Sequence, residues 1–298
     1  MNRLGAAYAI GAFGLWGLSP LYWRLLHHVP AHEILMHRIA WSALFLAFVL
    51  RGRWADLRAA AARPKTAGLL LASTVLIGVN WYLYIKGIED RRVLDTSLGY
   101  YINPLVSMTL GVVVLGERMR GLQAAAAALA LAGVLWIVKS HGHLPWLSLA
   151  LAFTFALYAL LRKISHADAL VGLSFETFVL TVPSLLGLVW LAAHGQAPAD
   201  ARTWLLLAGG AGVTAVPLLW FVEAARRLDL KTMGFLQFLS PTLQFLIAVL
   251  AFGEPLSRER LFSFVLIWAA VALYCGDAAL RARRANPTSR RAFSSRAS

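Results

Sequence analysis

Residues 95–117, DTSLGYYINPLVSMTLGVVVLGE, form an apolar stretch about as long as a membrane span, with Pro104 near its middle and Gly-Glu at its end. Residues 232–254, TMGFLQFLSPTLQFLIAVLAFGE, have the same layout around Pro241. The two prolines are 137 residues apart, and the two Gly-Glu pairs have the same offset. This shared spacing indicates a duplicated chain with two halves of about 137 residues each.

The composition indicates a chain that is embedded in lipid. Hydrophobic residues make up 59% of its 298 residues, charged residues only 14%, and the mean hydropathy is +0.66. Soluble domains carry about a quarter charged residues, and a soluble chain of this length cannot bury so much apolar surface in one core. The single cysteine, Cys275, excludes an internal disulfide and a cysteine metal cluster.

Hydropathy divides the chain into ten apolar runs, each long enough to cross the hydrocarbon layer as a helix. Helices are expected because the runs do not alternate between apolar and polar residues, as barrel strands do. The runs are residues 4–26, 33–50, 66–88, 93–115, 122–138, 145–161, 170–193, 203–225, 232–252 and 261–280. The predicted fold class is therefore an all-α polytopic membrane protein with ten transmembrane helices.

The odd number of spans in each half predicts that the two halves enter the membrane in opposite directions. The predicted organisation is thus two inverted five-helix repeats, residues 1–140 and 141–280, followed by a disordered basic tail at residues 281–298. Such inverted repeats place a substrate site near the midplane of the membrane, between the halves.

The net charge of +14 is distributed for a membrane and not for nucleic acid. The Lys and Arg residues lie between the spans and in the tail. If both termini are cytoplasmic, nineteen of them lie on the inner side and eight on the outer side, and Arg38 lies within a span. The positive-inside rule therefore predicts cytoplasmic termini, with anionic lipid as the partner of the tail.

Ionisable residues within a span are candidates for function because they are costly to place in lipid. His37 and Arg38 lie about one turn from the outer end of the second span, where Arg38 has the alternative of extending outward to solvent. Glu176 lies in the seventh span, within one position of the repeat equivalent of Arg38. This symmetry predicts a pair between Arg38 and Glu176, with two separate polar residues as the alternative.

Polar side chains also recur at helical spacing along several spans. Asn80 and Tyr84 are one turn apart in the third span, where Asn80 either lines a cavity or makes a hydrogen bond between helices. Polar residues recur at matching helical positions beside Pro104 and beside Pro241. Trp16, in the first span, is expected to form an aromatic wall. We therefore predict that the substrate contacts Trp16, His37, Arg38, Asn80, Tyr84, Tyr100, Asn103, Glu176, Gln237 and Gln244.

Several segments resemble the RarD branch of the EamA transporters, in the drug/metabolite transporter superfamily. They are WGLSPLYWR, VPAHEILMHRIAWS, NWYLYI, SLGYYINPLV, GE, FLQFLSPTLQFLIAV and FGE, in order from the first span to the tenth. The resemblance implies a multi-pass carrier of the bacterial inner membrane, built from two inverted five-helix repeats around a central cavity. It implies transport by alternating access and fixes no substrate.

The leading functional prediction is a secondary transporter that exports small metabolites or drugs. An intramembrane enzyme is disfavoured because the sequence has no HExxH, GxSxG, paired aspartates or Gly-rich phosphate loop. A transition-metal ion carrier that uses the outer-loop histidines, His27, His28 and His32 together with His37, is the alternative.

The predicted partners are a small-molecule substrate and membrane lipid, without nucleic acid and without a cofactor. His37 and Glu176 give a hypothesis of proton coupling, because both side chains can titrate when their surroundings change. Alanine runs at residues 124–128 and around Ala270 predict packing surfaces within the fold or in a homodimer.

Overall fold

The structure is a computed structural model that describes residues 3–116, 121–141, 144–196, 198, 200–225, 227–228 and 236–285. Its described residues form eleven α-helices. They are α1 (Arg3–Arg24), α2 (Ala31–Val49), α3 (Trp54–Ala61), α4 (Pro64–Glu89), α5 (Val93–Leu115), α6 (Gly121–His141), α7 (Trp146–Ser165), α8 (Ala169–Ala193), α9 (Ala201–Ala225), α10 (Leu239–Leu246) and α11 (Arg258–Ala285). A π-helical turn, Ile247–Ala251, continues α10. The all-α membrane fold is thus confirmed.

The number of membrane crossings is a separate question. Within the described ranges, eight helices are long and apolar enough to span a membrane. Helices α2 and α3 qualify only when they are counted together, and they are bent by 117°. The chain bends there at Gly52, whose φ of +78° suits glycine. The count of ten crossings and the inverted repeats stay predictions.

Local sequence signals fix several helix ends. Asp168 caps α8, since its carboxylate accepts hydrogen bonds from the N–H groups of Leu170 and Val171 at 3.0 and 3.2 Å. Pro64 begins α4, at a position where the missing N–H costs nothing. Gly116 ends α5 with a left-handed φ of +67°.

One helix start is fixed by a residue that is distant in sequence. The carboxylate of Glu254 accepts hydrogen bonds from the N–H groups of Val93, at 2.6 Å, and Leu94, at 2.9 Å. Glu254 is buried, and it belongs to the Gly-Glu pair that closes the second quoted stretch. The negative charge also stabilises the positive end of the α5 dipole.

Two predicted boundaries differ from the structure. The predicted ninth span, residues 232–252, is helical from Leu239 and ends in the π-turn, and residues 232–235 lie outside the described residues. The predicted tail, residues 281–298, begins as helix because α11 continues to Ala285. Arginine and alanine are strong helix formers, so RARRA extends the last turn; residues 286–298 lie outside the described residues.

The helices pack in a pattern that surrounds a central space. Helix α1 packs on α9, α4 on α7, α2 on α8 and on α9, and α5 on α7 and on α10, while α6 packs on α11 at one side. Small residues permit the closest approaches: Gly17 lies against Leu243, and Gly99 lies against the backbone carbonyl of Ser148. The predicted alanine surfaces of α6 and α11 contribute to their mutual packing, since Ala126 and Ala270 are fully buried.

Candidate functional site

A cavity of about 250 Å³ lies among α1, α2, α4, α5, α7, α8, α9 and the start of α10. Eight of the ten predicted site residues line it, although they are scattered over the chain. They are Trp16, Arg38, Asn80, Tyr84, Tyr100, Asn103, Gln237 and Gln244. The structure thus brings residues from both predicted halves together around one space.

The guanidinium of Arg38 enters the cavity from α2 and does not extend outward to solvent. Its Nε donates a hydrogen bond to the hydroxyl of Thr214, on α9, at 2.9 Å. The guanidinium carbon lies 4.6 Å from the ring centre of Trp81 and 5.7 Å from that of Trp23. Indole faces carry negative potential and attract a cation at this distance.

Hydrogen bonds between helices hold the polar wall of the cavity in place. The hydroxyls of Tyr84 and Ser19 are 2.8 Å apart and join α4 to α1. The amide nitrogen of Asn80 donates to the carbonyl of Leu151 at 3.0 Å and to the hydroxyl of Thr154 at 2.9 Å, both on α7. Asn80 therefore fulfils both readings of the sequence, because it lines the cavity and also links two helices.

The polar residues beside Pro104 and those beside Pro241 line the same cavity. Tyr100 and Asn103 line it from α5. Gln237, two residues before α10, and Gln244, on α10, line it as well. The hydroxyl of Ser97 donates to the carbonyl of Pro241 at 2.8 Å. This contact ties the two quoted stretches together across the protein.

Two predicted site residues, His37 and Glu176, do not line the cavity. His37 follows the helix about 100° away from Arg38, and its buried ring meets Trp204 edge to face at 5.1 Å. On α8 the cavity faces are Leu173 and Thr177, so Glu176 points to another side. Neither side chain is placed to contact a ligand in the cavity.

The predicted pair between Arg38 and Glu176 is wrong. Helices α2 and α8 run antiparallel: Met36 on α2 lies against Gly187, and Trp54, which begins α3 shortly after the end of α2, stacks on Phe178. This register places Glu176 beside the end of α2, on the order of 14 Å along the axis from Arg38 at about 1.5 Å per residue. Repeat equivalence predicted similar positions within each half, but not similar depths in the membrane.

Glu176 instead belongs to a polar cluster between α4, α7 and α8. Its fully buried carboxylate accepts hydrogen bonds from Ser73, at 2.6 Å, and Tyr158, at 3.2 Å. The Nε of Arg162 lies 3.7 Å from the same carboxylate. Arg162 also donates to the carbonyls of Asp168 and Ala169, at 3.2 and 3.3 Å, and so ties α7 to the first turn of α8.

Asp168 continues this cluster towards α3. Its carboxylate accepts a hydrogen bond from Nη1 of Arg53 at 3.1 Å, in addition to those from the N–H groups that it caps. Burial by itself would raise the pKa of Asp168, but the donors from Val171 and Arg53 outweigh that effect and hold the pKa below its usual value.

The outer histidines do not form a metal centre in the described part of the chain. His27 contacts the carbonyl of Arg24, His28 contacts the hydroxyl of Thr203 at 2.8 Å, and His37 is buried against Trp204. No group of three or more His, Cys, Asp or Glu side chains among the described residues is placed to share a metal ion. The alternative of a metal ion carrier therefore finds no support.

Some cavity residues were missed by the sequence reasoning. Thr214, Thr177 and Ser42 also line the cavity, and Phe155 adds an aromatic ring from α7. A signal existed for Thr214, which is an isolated polar residue three positions before Pro217 in the apolar middle of α9. No comparable signal distinguishes Ser42 or Phe155 from ordinary packing residues.

Comparison with known proteins agrees with this architecture. The profile of the EamA-like transporter family matches residues 3–139. A solved crystal structure of a protein covers 94% of this chain and 97% of its own, with a TM-score of 0.61 at 18% identity, which supports the fold alone.

Several relatives match nearly the whole chain. Protein RarD of Streptomyces exfoliatus is 43% identical over 95% of this chain and 91% of its own. The uncharacterized transporter YojE of Bacillus subtilis is 42% identical over 92% and 94%. Protein RarD of Escherichia coli is 41% identical over 95% and 97%. The chain therefore belongs to the EamA-like transporter family, as a transporter of the RarD type.

Proposed function

We propose that this protein is a secondary transporter that exports small metabolites or drugs across the bacterial inner membrane. The observation that carries the proposal is the central cavity, in which polar side chains from both predicted halves converge inside a lipid-embedded protein. Polar groups at membrane depth are expensive unless they serve a bound molecule or each other. A binding site between two halves is the arrangement that alternating access requires.

Alternating access would open the cavity to each side of the membrane in turn. Helices α1 and α9 form one close contact beside the cavity, where Gly11 lies against Trp220, and α4 and α7 form another. Rocking of one half against the other changes these contacts while the bound substrate stays near the midplane. Cytoplasmic termini, as predicted from the distribution of Lys and Arg, would orient this cycle.

The experiment compares cells that express the wild type with cells that express a variant whose cavity is filled. Asn103→Trp places a large ring in the cavity from α5. Val113→Trp is the matched control, because Val113 lies on the same helix with 76% of its surface exposed. Mass spectrometry of cells and medium measures which metabolites leave the cell.

We expect the wild type and Val113→Trp to release the same compounds and Asn103→Trp to retain them, at equal levels of protein in the membrane. Release that is unchanged by Asn103→Trp would contradict a route through the cavity. The same assay tests proton coupling. The support for coupling is that Glu176 and His37 are buried ionisable groups, although both lie outside the cavity. Release that persists after an ionophore collapses the pH gradient would exclude it.

A further inference from the structure

The cavity carries one formal charge among the described residues that line it. Arg38 supplies a positive charge, and every other lining side chain is apolar, aromatic or neutral and polar. Arginine does not lose its proton in proteins. The cavity is therefore a cationic site with no acidic group in its described wall.

The charge of Arg38 is also left uncompensated by its surroundings. No described carboxylate lies within 4.0 Å of the guanidinium, and Thr214 is its one hydrogen-bond partner in the described part of the protein. The remaining N–H groups belong to a side chain that lines the cavity. Trp81 and Trp23 hold the cation in place but accept no strong hydrogen bond.

The buried charge of Glu176 does not show this pattern. Glu176 has Ser73, Tyr158 and Arg162 around it. A buried cation without a counter-charge is unfavourable in lipid unless an anion joins it. The planar guanidinium matches a carboxylate or a phosphoryl group through two parallel hydrogen bonds.

The rest of the wall selects the body of such a molecule. Rings of Tyr84, Tyr100 and Phe155 follow one another edge to face at 5.7 and 6.4 Å, and Phe13 and Trp16 face the cavity from α1. Aromatic walls favour a flat or apolar body. A cationic ligand would be repelled by Arg38 and would find no described acidic partner.

We propose that the substrate is a small organic anion whose carboxylate, or similar oxyanion, pairs with Arg38 while its apolar body lies among the aromatic rings. This inference rests on the proposed transport function, because it assigns the chemistry of the same cavity. It assigns Arg38 as the residue that selects the charge of the substrate.

The test measures binding of matched compounds to the purified protein by calorimetry. The probes are 3-phenylpropionate, its neutral amide 3-phenylpropanamide, and the cation phenethylamine, which share one aromatic body. We expect the anion to bind at least about tenfold more tightly than the amide, which equals about 1.4 kcal/mol, and the cation not to bind. Wild type alone suffices for this comparison, so it does not depend on the folding of a variant.

Variants then locate the charge preference. Arg38→Gln is expected to abolish the advantage of the anion over the amide, and Arg38→Lys to restore part of it, since lysine keeps the charge without the paired donors. Val113→Ala, on α5 but outside the cavity with 76% of its surface exposed, is expected to leave the advantage intact. A wild type that does not bind 3-phenylpropionate, or binds it and the amide equally, would overturn the assignment, as would a preference that survives Arg38→Gln.

The two proposals fail in different ways. If Asn103→Trp blocks export but 3-phenylpropionate binds no better than its amide, the transport route stands and the anionic substrate is refuted. If the anion binds through Arg38 while Asn103→Trp leaves export unchanged, the cavity binds anions without being the route of transport.

Discussion

The substitution Gly172→Ala tests the cluster around Glu176. Helix propensity predicts that it raises the free energy of unfolding, whereas the tertiary structure predicts that it lowers it. Gly172 lies in the first turns of α8, where alanine would by itself stabilise a helix by about 1 kcal/mol. The guanidinium of Arg162 crosses this position, and a Cβ atom there would overlap its atoms. Gly172→Ala must therefore displace Arg162.

The cost of that displacement can be worked from the contacts that are lost. Arg162 would lose its hydrogen bonds to the carbonyls of Asp168 and Ala169 and its position 3.7 Å from Glu176. A hydrogen bond from a charged donor contributes about 1.5–3 kcal/mol, and stranding a buried carboxylate costs up to about 3–5 kcal/mol. Ser73 still donates to Glu176, so we take a loss of about 3 kcal/mol at the lower end of these values. After the helix-propensity gain of about 1 kcal/mol, the net destabilisation is about 2 kcal/mol.

The assay is unfolding of the purified protein in mixed micelles with increasing dodecyl sulfate, followed by tryptophan fluorescence. Gly212→Ala in α9 is the control, since a methyl group there meets nothing within 4 Å and should be neutral or stabilising. In an Arg162→Met background, the step Gly172→Ala should lose its cost, because the overlapping group is gone. A Gly172→Ala protein as stable as the wild type would refute the placement of Arg162.

Two further predictions concern helix caps. Glu254→Ala should destabilise the protein by about 2–3 kcal/mol in the same assay, because the N–H groups of Val93 and Leu94 lose a charged acceptor; no change in stability would contradict the capping role. Asp168→Asn keeps an oxygen that can cap α8 but loses the charge that pairs with Arg53 and with the helix dipole, so it should cost about 0.5–1 kcal/mol at pH 7. The pKa of Asp168 is lower in the folded state, so its contribution is present above about pH 4 and is lost as the pH falls below that value. The wild type and Asp168→Asn should therefore converge in acid, and a difference in stability that persists there would be inconsistent with the carboxylate as its source.

Much of the candidate site was predictable from one-dimensional patterns. Asn80 with Tyr84, Tyr100 with Asn103, and Gln237 are polar residues that recur at helical spacing in apolar spans, and the cost of polar groups in lipid makes such residues conspicuous. Each of these residues lines the cavity. Their functional role stays a proposal.

The errors arose where two helices had to be placed relative to each other. Repeat spacing predicts a pair between Arg38 and Glu176, but the antiparallel register of α2 and α8 separates the two residues along the helix axes. His37 was grouped with its neighbour although adjacent helical residues point in different directions. The partners of Glu176 lie on α4 and α7 and have no signal in the sequence around it.

The sequence by itself determined that the chain lies in lipid, that it is helical and that its two related stretches carry the polar groups. These properties follow from composition and from hydrogen-bond satisfaction within each segment, which lipid enforces locally. Only the tertiary structure decided which charges have partners. Glu176 is surrounded by donors whereas Arg38 has no described counter-ion, because partner choice depends on helix register and rotation, which the side-chain packing of all the helices sets together.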